Sequence, residues 1–160
     1  MGSGFFYWQL PPAQPRSVVM QLKIRVPKFI GRWLDQRFQA SLPRPGSTVI
    51  PPSELGLTRR TLLYFKAEHC VACGPLEMFV GQLAAQNGLD LRVIDFRRGE
   101  LPETVYGDQL LLDKDGSVGK RYRVSVFPTL VLTDEHGLIG GALAGVSERD
   151  KVAAGLGLTA

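Results

Sequence analysis

Between a short apolar run and a stripe at helical spacing, the chain places its only two cysteines, Cys70 and Cys73. The run is Thr61-Leu62-Leu63-Tyr64-Phe65, which reads as a buried strand. The stripe is Leu76, Phe79, Val80, Leu83 and Ala84, which reads as one helix ending at Asn87-Gly88. Two thiols so close can be a redox pair, half a metal site or an inert local disulfide. The strand-to-helix setting favours the first. A helix starting at Cys70 puts that sulfur against unpaired N–H groups and the positive end of the helix dipole, which lowers a thiol pKa. Cys73, three residues on, shares the face and reaches Cys70. Cys70 is therefore the expected attacking thiol, and Cys73 the one that resolves the mixed disulfide. A structural disulfide gains little from so small a loop. A metal site lacks a second pair of Cys/His ligands, since only His69 and His136 exist. No metal or other cofactor is expected.

The flanking sequence alternates strand and helix. Residues 89–96 (LDLRVIDF) read as the next strand, 97–108 as a loop, 109–113 as a short strand and 116–122 as a short helix. "VFPTLVLTDEHGLIGGALAG" reads as an antiparallel hairpin turning at Asp134 to Gly137. Ser147 is placed to cap a last helix running to about Leu156. The order β-α-β, then β-β-α, requires a crossover for the first pair and a mixed sheet overall.

Charge divides the chain. Residues 1–60 hold nine Lys/Arg and two Asp/Glu, a net of +7, whereas residues 61–160 hold ten and thirteen, a net of −3. At 44% hydrophobic and 21% charged, the composition excludes wholesale disorder. Residues 1–54 read as a basic N-terminal extension. Within it, 9–16 are coil, 18–26 a strand, and a basic amphipathic helix opens at Pro27 with Phe29, Ile30, Trp33, Leu34 and Phe38 on one face. That face suits packing on its own domain, with contact to a membrane surface through 27–38 as the alternative. The Pro-rich stretch 41–53 reads as a linker, with a compact domain over 55–160. The basic residues are dispersed and follow no nucleic-acid motif, so nucleic acid is not an expected partner. Phe5 to Trp8 is far too short for a membrane span or a signal-peptide core.

"LLYFKAEHCVACGPLE", "RVIDF" and "KRYRVSVFPTLVLTDEHGLIGGALAG" together resemble the thioredoxin-fold thiol-disulfide oxidoreductases over roughly residues 58–157. Tyr122-Arg123-Val124 and Asp134 to Gly137 bring the pattern nearest the TlpA/ResA/MauD-like branch. The resemblance implies an α/β, thioredoxin-like fold, with a mixed central sheet flanked by helices. It implies a cis Phe127-Pro128 bond lying against the dithiol, with the backbone before it pairing with substrate. It implies protein thiols and disulfides as partners, reductive exchange, an upstream reductant protein, and roles such as cytochrome c maturation in bacteria. If Pro128 touches the dithiol, His136 lies ~16 Å away along the strand and cannot share a metal with it. The implied location is extracytoplasmic and membrane-associated. The chain shows neither signal peptide nor transmembrane helix, which keeps a cytoplasmic location as the alternative. The other functional class is an assembly or metal-delivery factor whose dithiol is not a general redox catalyst.

Three residues depart from the family pattern. His69 stands where a Trp is usual, and a cation there favours a thiolate at Cys70. Tyr64 stands where thioredoxins carry a buried acid. Glu77, one turn after Cys73, is then the candidate proton acceptor. The third is Pro75, earlier than the usual helix proline, which has no N–H for the carbonyl of Val71, so an irregular first turn is expected.

Overall fold

The computed structural model describes residues 28–100 and 104–160; the strand expected over 18–26 and the coil over 9–16 lie outside them. Five strands form one sheet in the order β3-β2-β1-β4-β5. They are β1 (Thr61–Lys66), β2 (Asp90–Asp95), β3 (Leu110–Leu112), β4 (Thr129–Thr133) and β5 (Ile139–Ala144). β1 pairs parallel with β2 and β2 with β3, while β4 runs antiparallel to both β1 and β5. The helices are α1 (Lys28–Ser41), α2 (Cys73–Glu77), α3 (Val80–Gln86), α4 (Ser117–Arg121) and α5 (Arg149–Leu156).

β1 is central and buried on both faces, which is why it reads as a continuous apolar run rather than an alternating one. Leu62 and Tyr64 point into a core closed by Leu76, Val80 and Leu83 from α2 and α3 and by Val152 and Leu156 from α5. Leu63 and Phe65 point into the opposite core with Ile94, Val131, Ile139, Tyr122 and Ile50. Lys66 pairs in register with Asp95, and Phe65 with Thr129. The ends of β1 and β2 and the start of β4 therefore meet at one edge of the sheet. His136, in the β4–β5 turn, lies at the other.

Several local expectations need correction. The single helix expected after the cysteines is two: α2 ends at Glu77, and Phe79, at φ −137°, leaves helical geometry before α3 begins. The helix also starts at Cys73 rather than Cys70. Pro75 cannot supply the fourth-neighbour bond to the Val71 carbonyl, and Gly74 N–H donates to that carbonyl instead, at 3.4 Å. Ser147 does not cap α5: Glu148 is the N-cap residue, and no side chain caps the end. The stretch 41–53 is not a free linker. Leu42 is buried, Ile50 is 1% exposed within the core, and Thr48 bridges to Leu138. Gly46 N–H donates to Ile139 O at 2.8 Å, and Ile139 N–H to Ser47 O at 2.9 Å. The prolines end regular structure, while the β-branched Thr48-Val49-Ile50 between them docks on the β5 edge. Gln39 of α1 clamps that edge further up, its amide donating to Ala144 O at 2.8 Å.

α4 carries one position with no room at all. A Cβ on Gly119 would lie 1.7 Å from the Phe96 ring, which itself packs edge-on against Phe127 at 5.0 Å. The buried Asp113 carboxylate holds this turn by accepting from the Val118 and Gly119 N–H groups at 3.2 and 2.8 Å. Gly119→Ala is expected to lower stability by about 1–3 kcal/mol through forced displacement of Phe96. Gly81→Ala in α3, where a Cβ meets nothing within 4 Å, is expected to leave stability unchanged or raise it by up to about 1 kcal/mol. Urea denaturation of both variants checks this; equal midpoints for the two would contradict the packing described.

Candidate active site

The chain leaves β1 at Lys66 and turns through Ala67 and Glu68 to His69, which adopts a left-handed conformation at φ 59°. That turn brings Cys70 back over the edge of the sheet, its N–H donating to Ala67 O at 3.4 Å. Cys70 and Cys73 are joined in a disulfide with Cα atoms 5.3 Å apart. The two sulfurs are not equivalent: Cys73 is 2% exposed within the core, whereas Cys70 is half-buried at its margin. The His69 side chain is 91% exposed, and its nearest charged partner is the Glu68 carboxylate at 4.0 Å.

Beside the dithiol runs an open groove of about 420 Å³, with Lys66, His69, Glu77 and Arg97 among the residues around the two cysteines. Glu77 is the hub of a polar group under it. One of its oxygens accepts from the Tyr64 hydroxyl at 3.3 Å and pairs with the Lys66 ammonium. The Lys66 ammonium also lies 5.8 Å from the centre of the Tyr106 ring. Tyr64 is fully buried; burial first, and the Glu77 charge second, push its phenol far above the ordinary range. The same two causes push Tyr106 up to about 12. Tyr64 thus donates from β1 to Glu77 and helps fix it beneath the groove.

Sequence reasoning missed the second charged group. Asp95 closes β2 with its carboxylate buried, and Arg97 lies 3.6 Å from it and 3.8 Å from Glu68. One Asp95 oxygen and Arg97 Nε have no hydrogen-bond partner. The available signal was an acid directly after the apolar pair Val93-Ile94, a place where burial demands a partner.

Phe127 and Pro128 enter the same edge from β4. Their peptide bond is cis. Pro128 is buried, and its carbonyl accepts the Gly145 N–H at 2.7 Å. Phe127 packs against both cores, including the one that holds Cys73 and Cys70. Because Thr129 pairs with Phe65, the residue before it sits at the end of β1 from which the dithiol loop springs.

Solved structures share this fold. A pneumococcal exposed lipoprotein thioredoxin from Streptococcus pneumoniae superposes with a TM-score of 0.50 at 18% identity, over 66% of this chain and 87% of its own. A structure described as a thiol:disulfide interchange protein DsbE, from Chlorobium tepidum, gives 0.51 at 16% identity, over 71% and 98%. The fold is thioredoxin-like. No protein-family model matches the chain, and no curated protein matches it in sequence. At these identities the comparison establishes the thioredoxin-like architecture, and the chemistry rests on the residues themselves.

The buried phenols set an alkaline limit. Burial raises Tyr106 and Tyr122 to about 12 and Tyr64 further still. In the unfolded chain all three ionise near the ordinary value of ~10. The unfolded state therefore loses protons first, and stability falls as pH rises. Denaturation midpoints are expected to hold their value below pH ~10 and to drop between ~10 and 12. Native-state tyrosinate absorbance that rises fully near pH ~10, with an unchanged midpoint, would contradict this burial.

Proposed function

We propose that this chain is a protein thiol–disulfide oxidoreductase working through Cys70 and Cys73. The observation that carries the reading is the pairing of an accessible Cys70 with a buried Cys73 at the sheet edge shared with cis-Pro128. The Cys70 thiolate attacks one sulfur of a partner disulfide. A Cys70–partner bond forms, and the other partner sulfur leaves as a thiolate that takes up a proton. The Cys73 thiolate then attacks Cys70, closing the intramolecular disulfide and releasing the second partner thiol. Two electrons pass to the partner, and an upstream reductant protein returns the pair to the dithiol. Phe127 and Pro128 supply the surface on which the partner's extended backbone lies. The basic side chains at the groove, His69 among them, favour a thiolate at Cys70.

The working direction is reductive, toward partner disulfides of the kind met in cytochrome c maturation, on the extracytoplasmic side of a bacterial membrane. These assignments rest on the TlpA/ResA/MauD resemblance. Contact with the membrane surface through residues 27–38 fits that location. Among the described residues no helix is long and apolar enough to cross a membrane.

Two experiments test this site. In reduced protein, one thiol, Cys70, is expected to alkylate with an apparent pKa well below the free-cysteine value of ~8.5, and the oxidised protein to exchange with dithiothreitol. Two thiols that both titrate like free cysteine, with no exchange, would sink the proposal. Glu77 is assigned the Cys73 proton, because it follows Cys73 by four residues on α2 and borders the same groove. Glu77→Gln should slow release of the partner from the mixed disulfide by about 10²-fold while leaving Cys70 alkylation nearly unchanged. An unaltered release rate rules Glu77 out as the acceptor.

A further inference from the structure

A second concave surface, of about 530 Å³, lies where the end of α1, the docked stretch 42–49 and the end of α4 come together. Three arginines border it: Arg44, Arg121 and Arg123. The cluster stands out because the chain beyond residue 60 is net acidic. Arg121 is held in place, donating to the Glu54 carboxylate at 2.6 Å and to the Val49 carbonyl at 3.5 Å. Arg44 and Arg123 are exposed and have no carboxylate within ion-pair distance among the described residues. The groove therefore holds about two uncompensated positive charges in a concavity, where field lines concentrate.

Arg123 has an unusual backbone. It follows the last residue of α4 and its cap, Tyr122, in a left-handed conformation at φ 56°. Its N–H donates to Lys120 O at 3.1 Å, and that of Val124 to Gly119 O at 2.9 Å. Helices normally end on glycine at this position, because a Cβ is strained there. The chain instead carries a guanidinium at the strained position, anchored by the fully buried Tyr122. Residues 1–27 do not suit the groove as its occupant, since they carry Arg16, Lys23 and Arg25 and no acid.

The same surface continues along α1. Trp33, Arg37 and Ala40 are spaced i, i+4 and i+7 on that helix, and Ala40 borders the groove. Trp33 is 53% exposed, with the Arg37 guanidinium 4.6 Å from its ring centre. An exposed indole beside cations is the composition of a protein surface at lipid headgroup level.

We propose that Arg44, Arg121 and Arg123 form a binding site for a phosphoryl oxyanion, presented by an anionic lipid headgroup with Trp33 at the same interface. Guanidinium forks match phosphate oxygens in pairs, which distinguishes this site from a lysine-rich surface. The proposal is independent of the redox reading. Exchange with dithiothreitol should be the same in the variants below as in the parent protein, so the two fail separately.

The test uses the full chain with vesicles of phosphatidylcholine alone or mixed with phosphatidylglycerol, and with inorganic phosphate at matched ionic strength. Binding is expected only to the phosphatidylglycerol vesicles. Arg44→Gln with Arg123→Gly should weaken it about thirtyfold, the loss of two arginines at a charged membrane surface. Arg123→Gly alone relieves the left-handed strain, so its melting temperature should match or exceed the parent's, which separates lost binding from lost folding. Vesicle binding that is indifferent to these substitutions, or equal on both vesicle types, overturns the site. A phosphate response that the two substitutions remove, without vesicle binding, overturns the lipid assignment and makes a soluble phosphorylated compound the ligand.

Discussion

The structure depends on the complete burial of β1. With neighbours on both edges and helices or the docked 42–50 segment on both faces, this strand has no freedom of register. Leu62 and Tyr64 are committed to one core and Leu63 and Phe65 to the other, and a slip of one residue exchanges the two sets. Everything at the candidate site is counted from its end. Lys66 faces Asp95 across one edge, Phe65 faces Thr129 across the other, and the cysteine loop leaves from the point between them. The dithiol and cis-Pro128, 55 residues apart in sequence from Cys73 to Pro128, share a sheet edge because this one strand fixes both neighbours.

Beneath the groove lies a polar group of three side chains. A neutral phenol, Tyr64, donates to a half-exposed carboxylate, Glu77, which the Lys66 ammonium also holds. The anionic group near the buried sulfur is thus at the groove surface rather than deep on the strand, and a cation touches it. A carboxylate so placed is better hydrated than a buried one. On the far side of the loop, Arg97 lies between Asp95 and Glu68 and adds a second cation to the groove. Cys70 therefore sits between the margin of an apolar core and a groove carrying paired charges.

Much of this was legible from residue pattern. The five strands follow from runs of apolar and β-branched residues with turn residues between them. The two cysteines and Phe127-Pro128 are identifiable as one site through their resemblance to a known arrangement. The failures have physical causes. A helix start is decided by hydrogen-bond partners, and Pro75 denies one to Val71, so α2 begins at Cys73. The stretch 41–53 looked like a linker because proline dominates it, yet three β-branched or apolar residues are enough to dock it on an open sheet edge. Asp95 and Arg97 carry no motif; what makes them part of the site is the register of β2 against Lys66, which composition does not encode. The left-handed residues His69 and Arg123 are likewise invisible to pattern, since neither is glycine.

The central claim is that the two sulfurs have unequal roles fixed by burial. It is tested most directly by intact-mass measurement of mixed disulfides formed with a small peptide disulfide. Reduced Cys73→Ser and Cys70→Ser proteins are compared under native conditions. The account predicts a rapid, stable adduct on Cys70 in the Cys73→Ser protein and almost none on the buried Cys73 in its counterpart. Equal trapping by both variants, or trapping on Cys73 alone, would contradict it.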